Sequence, residues 1–559
     1  MTALKEMITK RWGITVLTGL VCHLFFLLAG SYQKSYDAYT HIFFASHWLK
    51  SWWNAFEPGW YAGFSVFTYP PFSHQLVALP AFVMGLEPAF VLMQMLALLA
   101  MVVGMYRYTR IWYTPSVARL AALLLLFLPA LAMTLHLFGQ YPNTVSLALV
   151  LNLLPFVDDF LATGNRRSLL KGELLLIPAA FTSLFGNFLG IFFFALPLLV
   201  KHFKRERLLR MGALVALGAG TLFACLIPFF HYMQQNPFVQ TAIPHASRDN
   251  VLLPSMLNYF TFYGLYGPLL PLLLCWLGVA LFKKRGGSFV LPVALLLILS
   301  TGGATGINRL LVGPLFEVLT FDRFAFWNSI LVLPPLANEI WRTGKHLRQK
   351  LRTDLLYYGM VAGAAAIYLA FFGANAGAYL WRPLPPVLNL SAMQKVLNRP
   401  EYANKRYLTL GIGGNNVSAL SIYHPATTVD GNYNFARRLP ELNQAPIALL
   451  DEAKYYGEEA IAALAKILLN PGKYRLKVLF LRDQYYTPLL EASGWQRVNR
   501  LPEGIDVWET PYEIPEVDPV PARQVDIYQM IWSVMPLSTF ALGLWVIFLL
   551  PKKRGQHRA

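Results

Sequence analysis

Cysteine is nearly absent from this chain of 559 residues, and the little there is lies where it can form no bridge. Cys22, Cys225 and Cys275 each fall within an apolar run and lack a close-spaced partner, which excludes a disulfide framework and a cysteine zinc motif. Charged residues are also few, at 14%, and acidic ones fewer, with 29 Asp and Glu against 47 Lys and Arg. In a soluble protein the formal charge of +18 would point to nucleic acid, but here the basic residues sit in short clusters between apolar runs. That pattern reports membrane topology, so no nucleic-acid partner is expected. No sequence repeat of 20 to 50 residues is apparent, which excludes a solenoid or propeller.

What the chain has in abundance is apolar sequence. Hydrophobic residues make up 56%, and several runs exceed the roughly 18 residues that signal a membrane helix. The reading is a polytopic α-helical membrane protein. Lys5, Lys10 and Arg11 before the first span place the N-terminus in the cytoplasm and the loop after it outside. Residues 12 to 30 resemble a signal peptide, but no small-x-small cleavage site precedes the polar loop, and a retained first helix is expected. Spans at 75–104, 116–136 and 143–157 follow, separated by Arg107, Arg110, Arg166, Arg167 and Lys171.

Residues 173–200 carry basic clusters on both flanks and an interruption from Thr182 to Asn187. One crossing cannot satisfy that charge pattern, so two short legs forming a hairpin are expected. Spans at 211–230, 262–282, 289–303, 324–341, 354–373 and 527–550 alternate between basic and outer sides, bounded by Lys283 to Arg285, Arg342 to Arg352 and Lys552 to Arg554. The count is about twelve membrane segments, both termini cytoplasmic, in the cell (inner or plasma) membrane.

Between the last two spans the composition changes. Tyr407 to Leu410, Leu476 to Leu481 and Asp506 to Glu509 read as strands, and Glu452 to Leu469 as an amphipathic helix stopped by Asn470-Pro471-Gly472. This gives three regions: a membrane domain at 1–379, an extracytoplasmic α/β domain at 380–525 between proline-rich stretches, and a final helix with a basic tail at 526–559. Gly411-Ile412-Gly413-Gly414 is read as a tight turn after a strand, because a lone Gly-x-Gly-Gly without a P-loop lysine is weak support for a nucleotide site.

The stretch with chemistry in it is the first outer loop, residues 31–74. It carries Asp37, His41, His47, Glu57 and six tryptophan or tyrosine rings from Trp48 to Tyr69, then stops at Tyr69-Pro70-Pro71. A carboxylate at the end of a membrane helix, followed by amphipathic aromatic surface, suits chemistry at the lipid-water boundary.

With Asp37-x-x-x-His41, Trp60-x-x-Gly63 before Tyr69-Pro70-Pro71, Gly139 to Asn143, and Phe321-Asp322-Arg323-Phe324, the membrane half resembles the GT-C superfamily of membrane glycosyltransferases. More closely it resembles the "6-pyruvoyl-tetrahydropterin synthase-related" membrane protein family. The label does not imply pterin chemistry, which needs a zinc site; His41 and His47 are six apart, not the spacing that aims two ligands at one metal. Neither a metal nor a cofactor is expected.

The resemblance implies an inverting glycosyltransferase moving a sugar from a polyprenyl-phosphate carrier to an outer acceptor hydroxyl on a glycan, lipid or protein, as part of cell-envelope assembly. In that reading Asp37 is the general base. Arg323, Arg309 and Arg248 are the candidates to meet the phosphate. His41 and His136 add donors, Trp60 covers the donor, and Tyr69 and Tyr141 complete the expected substrate-binding set. Plainer roles stand beside these: Asp37 as a helix cap, His41 as its hydrogen-bond partner, and Arg323 paired with Asp322 or Glu317. The alternative function is a non-catalytic transporter or binding subunit for lipid-linked saccharides.

Overall fold

The computed structural model describes residues 10–549 apart from 184, 237–240, 284–286, 352, 383–384 and 522–524. Lys5, Lys284, Arg285, Arg352 and the Lys552 to Arg554 cluster therefore lie outside the described residues, as does Leu184 in the interruption of the 173–200 hairpin. The protein is mostly helical, with one small mixed sheet.

Helix α1 (Lys10–Leu28) leads into the first loop, which holds α2 (Ala38–Lys50) and a hairpin of β1 (Phe56–Glu57) and β2 (Phe64–Ser65). The run expected as one span at 75–104 is two helices, α3 (Phe72–Met84) and α4 (Leu86–Thr109). Gly85 separates them at φ 83°, a left-handed conformation that a side chain rarely adopts. Next come α5 (Pro115–Phe138) and α6 (Tyr141–Thr163). Helices α4 and α6 pack closely because Gly104 lets the α6 backbone approach, and Arg107 donates to Asn152 Oδ1 at 2.8 Å across the seam.

The run expected as a hairpin at 173–200 falls in two helices, α7 (Arg166–Ala180) and α8 (Phe185–Lys201), the first of which starts earlier than expected. Helix α9 (Leu208–Cys225) stops earlier than expected and a short helix, Ile227–Gln235, completes that run. Helices α10 (Met256–Tyr266) and α11 (Leu269–Phe282) are bent 57° from each other. Then follow α12 (Val290–Ser300), α13 (Asp322–Leu331), α14 (Leu333–Lys350) and α15 (Asp354–Ala376). Among the described residues six helices are long and apolar enough to cross a membrane, or seven if the bent pair is one span, and four further apolar helices are 10–17 residues long. Helices α9 and α15 expose nearly all of their apolar surface, as lipid-facing helices do.

The region after α15 forms a five-stranded sheet in the order β4-β3-β5-β7-β6. Its elements are β3 (Arg406–Leu410), α16 (Gly414–Tyr423), β4 (Thr427–Thr428), α17 (Glu458–Leu468), β5 (Leu476–Leu481), β6 (Gln496–Leu501) and β7 (Ile505–Glu509). Strands β4, β3 and β5 are parallel and β7 and β6 antiparallel to their neighbours. β6 has no apolar alternation to betray it, since nearly all of it is exposed; its Arg497 and Arg500 suit an edge that must not pair with another chain. Helix α17 begins at Glu458 instead of Glu452, because Gly457 turns at φ 87°. The last helix, α18 (Ile527–Phe548), returns to the membrane core, where its Gly543 packs on the backbone of Leu174 in α7.

The sheet does not hang free on proline tethers. Residues of the first loop lie along its β4 edge: Thr428 N–H donates to Gly59 O, Ala62 N–H to Thr428 O and Tyr61 N–H to Asp430 O, all within 3.2 Å. A short stretch of the first loop thus continues the sheet by one more row of backbone hydrogen bonds. Tyr61 and Ala62 take left-handed φ values of 54° and 62° to make this turn.

Candidate active site

Around Asp37 the first loop is held against the end of α5 by backbone hydrogen bonds. Tyr36 N–H and Asp37 N–H donate to Leu137 O and Phe138 O at 3.1 and 3.0 Å. A Cβ on Gly139 would lie 2.4 Å from Ser35 Oγ and 2.7 Å from Ala38 N, so only glycine permits this approach. The last turn of α5 (Thr134–Phe138) is widened to π geometry, a feature often found beside functional sites.

Asp37 precedes α2, yet its side chain makes no capping bond, and the plainer role of a helix cap is not the one it takes. The half-buried carboxylate instead lines a cavity of about 500 Å³. Burial pushes its pKa up from the usual 3.8 to about 6, with Arg323 partly opposing and Asp322 adding to the rise. A carboxyl so placed is ionised just below neutrality and is a competent proton acceptor.

The cavity walls come from distant parts of the chain. Phe138 and Gln140 close one side, and His245, Leu257, Phe260 and Thr261 another. Phe260 and Thr261 belong to a second π-widened turn, Tyr259–Tyr263. Asp322 and Arg382 also line the space, and Asn415, Asn432, Leu449, Glu452 and Tyr456 roof it from the sheet region. Asn432 Nδ2 donates to Thr40 Oγ1 at 3.0 Å and Asn415 Nδ2 to Gln33 O at 3.1 Å, tying that roof to the first loop.

Charge around the cavity is conspicuously unspent. Buried Asp322 has an oxygen without a hydrogen-bond partner, and Arg323 Nε is likewise buried and unpartnered. Neither pairs with the other among the described residues, since Glu317 is taken by Arg309 at 3.1 Å. Arg382 stacks its guanidinium between Tyr36 and Phe260, 4.9 and 4.2 Å from the ring centres. Stacking fixes the plane of the fork and leaves its N–H groups for an anion.

The expected residues divide accordingly. Asp37 lines the cavity, and Arg323 is close enough to act on it electrostatically. Tyr69 senses both Asp37 and Arg323, and its ring packs on His74 and Tyr433 at 4.7 and 4.5 Å. His41 is buried beneath Tyr69 and shares a hydrogen bond of 3.2 Å with His74 instead of bonding the Asp37 carboxylate. Burial lowers its pKa to about 3 and keeps it neutral.

Four residues expected to bind substrate lie elsewhere. Trp60 is wholly buried against Phe43, with ring centres 3.7 Å apart, and donates its indole N–H to Ser421 Oγ at 3.0 Å. It packs on Gly431, where any side chain would collide with it, so it docks the sheet and does not cover a donor. His136 is buried between Ser31 and His23, both at 2.9 Å. Tyr141 is buried against Phe90. Arg309 is exposed and engaged by Glu317 and the Phe316 ring. Arg248, the further phosphate candidate, spends its guanidinium on the carbonyls of Leu319 and Ile243.

Sequence reasoning missed Arg382, Glu452 and Tyr36 as cavity residues. Of these only Arg382 left a signal, as a lone cation immediately after an apolar span and before Pro383.

The comparisons with known proteins agree with this architecture. A family model described as 6-pyruvoyl-tetrahydropterin synthase related domain, membrane protein, matches residues 67–373. No curated protein matches the sequence significantly. Among solved structures, ArnT from Cupriavidus metallidurans bound to undecaprenyl phosphate is similar at a TM-score of 0.50 and 14% identity, over 89% of this chain and 98% of that one. Arabinofuranosyltransferase AftD from Mycobacteria is similar at 0.51 and 14% identity, over 91% of this chain and 40% of that one. At such identities the likeness is one of fold.

Proposed function

The chain belongs to the 6-pyruvoyl-tetrahydropterin synthase related family of membrane proteins, and from that premise we propose that it is a GT-C-type glycosyltransferase using a polyprenyl-phosphate-linked sugar. We read it as twelve membrane segments with both termini cytoplasmic and residues 380–525 outside the cell membrane. The observation that carries the reading is the uncapped Asp37 carboxylate, facing a cavity that also presents Arg382. The solved relatives add that one such fold holds undecaprenyl phosphate.

In the proposed reaction an acceptor hydroxyl gives its proton to Asp37 as its oxygen bonds the anomeric carbon from the face opposite the leaving group. The bond from that carbon to the phosphate oxygen breaks, the anomeric centre inverts, and polyprenyl phosphate departs with the electron pair. Arg382 and Arg323 stabilise the charge growing on the phosphate, which counts for more in a partly dry cavity than in water. Tyr69, within electrostatic reach of Asp37 and Arg323, helps orient the donor. An apolar lip reaches the cavity at Leu257, where Leu253 and Met256 are exposed. A polyprenyl chain would lie along it.

The test uses full-length protein in nanodiscs and undecaprenyl phosphate as the probe, read by native mass spectrometry. Wild-type protein is expected to retain the lipid, and Arg382→Ala to retain far less of it. Failure of the wild type to bind it would sink this reading.

A further inference from the structure

A second cavity, of about 780 Å³, opens on the sheet side and shares Tyr36, Pro385 and Glu452 with the Asp37 cavity, so the two adjoin at these three residues. It lies where parallel strands β3 and β5 end, lined there by Gly411, Gly413, Arg482 and Asp483. The chain leaves β3 for β4 on one side and reaches β5 on the other, which makes this gap the switch point of the parallel part of the sheet. Open α/β sheets bind ligands at that place.

What the loop after β3 cannot bind is phosphate. Three of its amides are already engaged by Asp451: Gly411 N–H donates to Asp451 O at 2.9 Å, and Ile412 and Gly413 N–H to the Asp451 carboxylate at 3.2 and 2.7 Å, while the fourth, Gly414 N–H, faces Glu452. A nucleotide would therefore meet carboxylates where it needs donors. The polar groups left over are of mixed type. Arg482 has a buried Nε without a partner, Glu452 sits at the junction of the cavities with its pKa raised to about 7 by burial and Asp451, and Tyr36 and Tyr455 offer rings and hydroxyls. Tyr455 is 74% exposed, a flat apolar face turned to solvent.

We propose that this cavity is an acceptor subsite for an uncharged, hydroxyl-rich oligosaccharide, whose terminal sugar passes between Tyr36 and Glu452 to reach Asp37. Alternating donors and acceptors match sugar hydroxyls, and aromatic rings cover the apolar faces of pyranoses. Glu503, which lines the same cavity, holds a left-handed backbone at φ 64° and accepts from Asn389 N–H at 3.1 Å, so the rim is fixed by a bond across the region and not by a mobile loop. The proposal deepens the glycosyltransferase reading and rests on it for the direction of transfer.

Full-length protein in nanodiscs is titrated with four neutral tetrasaccharides, of glucose, mannose, galactose and N-acetylglucosamine, by saturation-transfer NMR. At least one is expected to bind, and Arg482→Ala and Tyr455→Ala to weaken it about tenfold or more, while retention of undecaprenyl phosphate stays within twofold of wild type. Tyr455 is exposed enough that its removal leaves folding intact. Binding by none of the four, or equal binding by both variants, overturns the proposal. Sugar binding in a protein that ignores undecaprenyl phosphate would overturn the transferase reading and leave a glycan-binding site standing.

Discussion

The two ends of α6 treat charge in opposite ways. Near its C-terminal end Asp158 receives Lys201 Nζ and His202 Nε2, both at 2.7 Å, and Arg207 donates to the other nitrogen of His202. About 27 Å away along the helix, beyond its first turn, Asp37, Asp322 and Arg382 line a cavity, with Arg323 near enough to act on Asp37, and none of the four pairs with another among the described residues. The first cluster saturates its hydrogen bonds and so gains rigidity; the second keeps its donors and acceptors open at the expense of stability. A buried group left unsatisfied is costly, and natural folds retain such groups mainly where a ligand completes them. Burial and polarity are similar at the two ends, so it is the missing partner that marks the site.

The comparison is broken most severely at Asp37. Asp37→Asn is expected to reduce sugar transfer by roughly 10²- to 10⁴-fold, the range for loss of a general base, while binding undecaprenyl phosphate normally. Single-turnover transfer in nanodiscs measures it, and near-normal turnover would remove Asp37 from the chemistry. The same variant should be at least as thermostable as wild type at pH 7. The carboxyl has a raised pKa in the fold, so its ionised form is disfavoured there; that penalty is full above about pH 6 and gone below the unfolded value of 3.8.

Wild-type transfer should fall as pH drops through about 6, because the base is protonated there. A rate-pH profile that stays flat from pH 7 to 5 would count against a titrating carboxylate as the acceptor of the proton.

In the same cavity, Arg382→Ala should weaken undecaprenyl phosphate binding roughly 10- to 100-fold, the effect of losing a charged hydrogen bond. Arg382→Lys should restore little of it, since an ammonium neither stacks on Tyr36 and Phe260 nor forks. Full recovery in the lysine variant would reduce Arg382 to a point charge.

The paired end answers differently. Asp158→Asn should lower the thermal midpoint by a few degrees through loss of Lys201 and His202 contacts, with lipid binding and transfer per folded molecule unchanged; a selective loss of transfer would erase the contrast between the two ends. The smallest effect belongs to Arg309→Ala, within about twofold on binding and stability, because an exposed pair with Glu317 is worth little.

The sequence by itself determined that the chain is mostly apolar helix, the break after Ala180, the cores of β3, β5 and β7, and the position of Asp37 just after the first apolar helix. These depend on hydrophobic runs, strand alternation and turn residues, all of which act over a few neighbours. It also read Gly411 to Gly414 as a turn, which the Asp451 bonds account for. Only tertiary structure decided which polar groups are satisfied. Trp60 meets Ser421 and Gly431, His136 meets His23, and Arg382 and Glu452 reach Asp37 across more than 340 residues of chain. No local spacing encodes such meetings, because they follow from how whole helices and a sheet edge pack. For that reason the loop bearing the acid was legible from sequence, and most of the residues that face it were not.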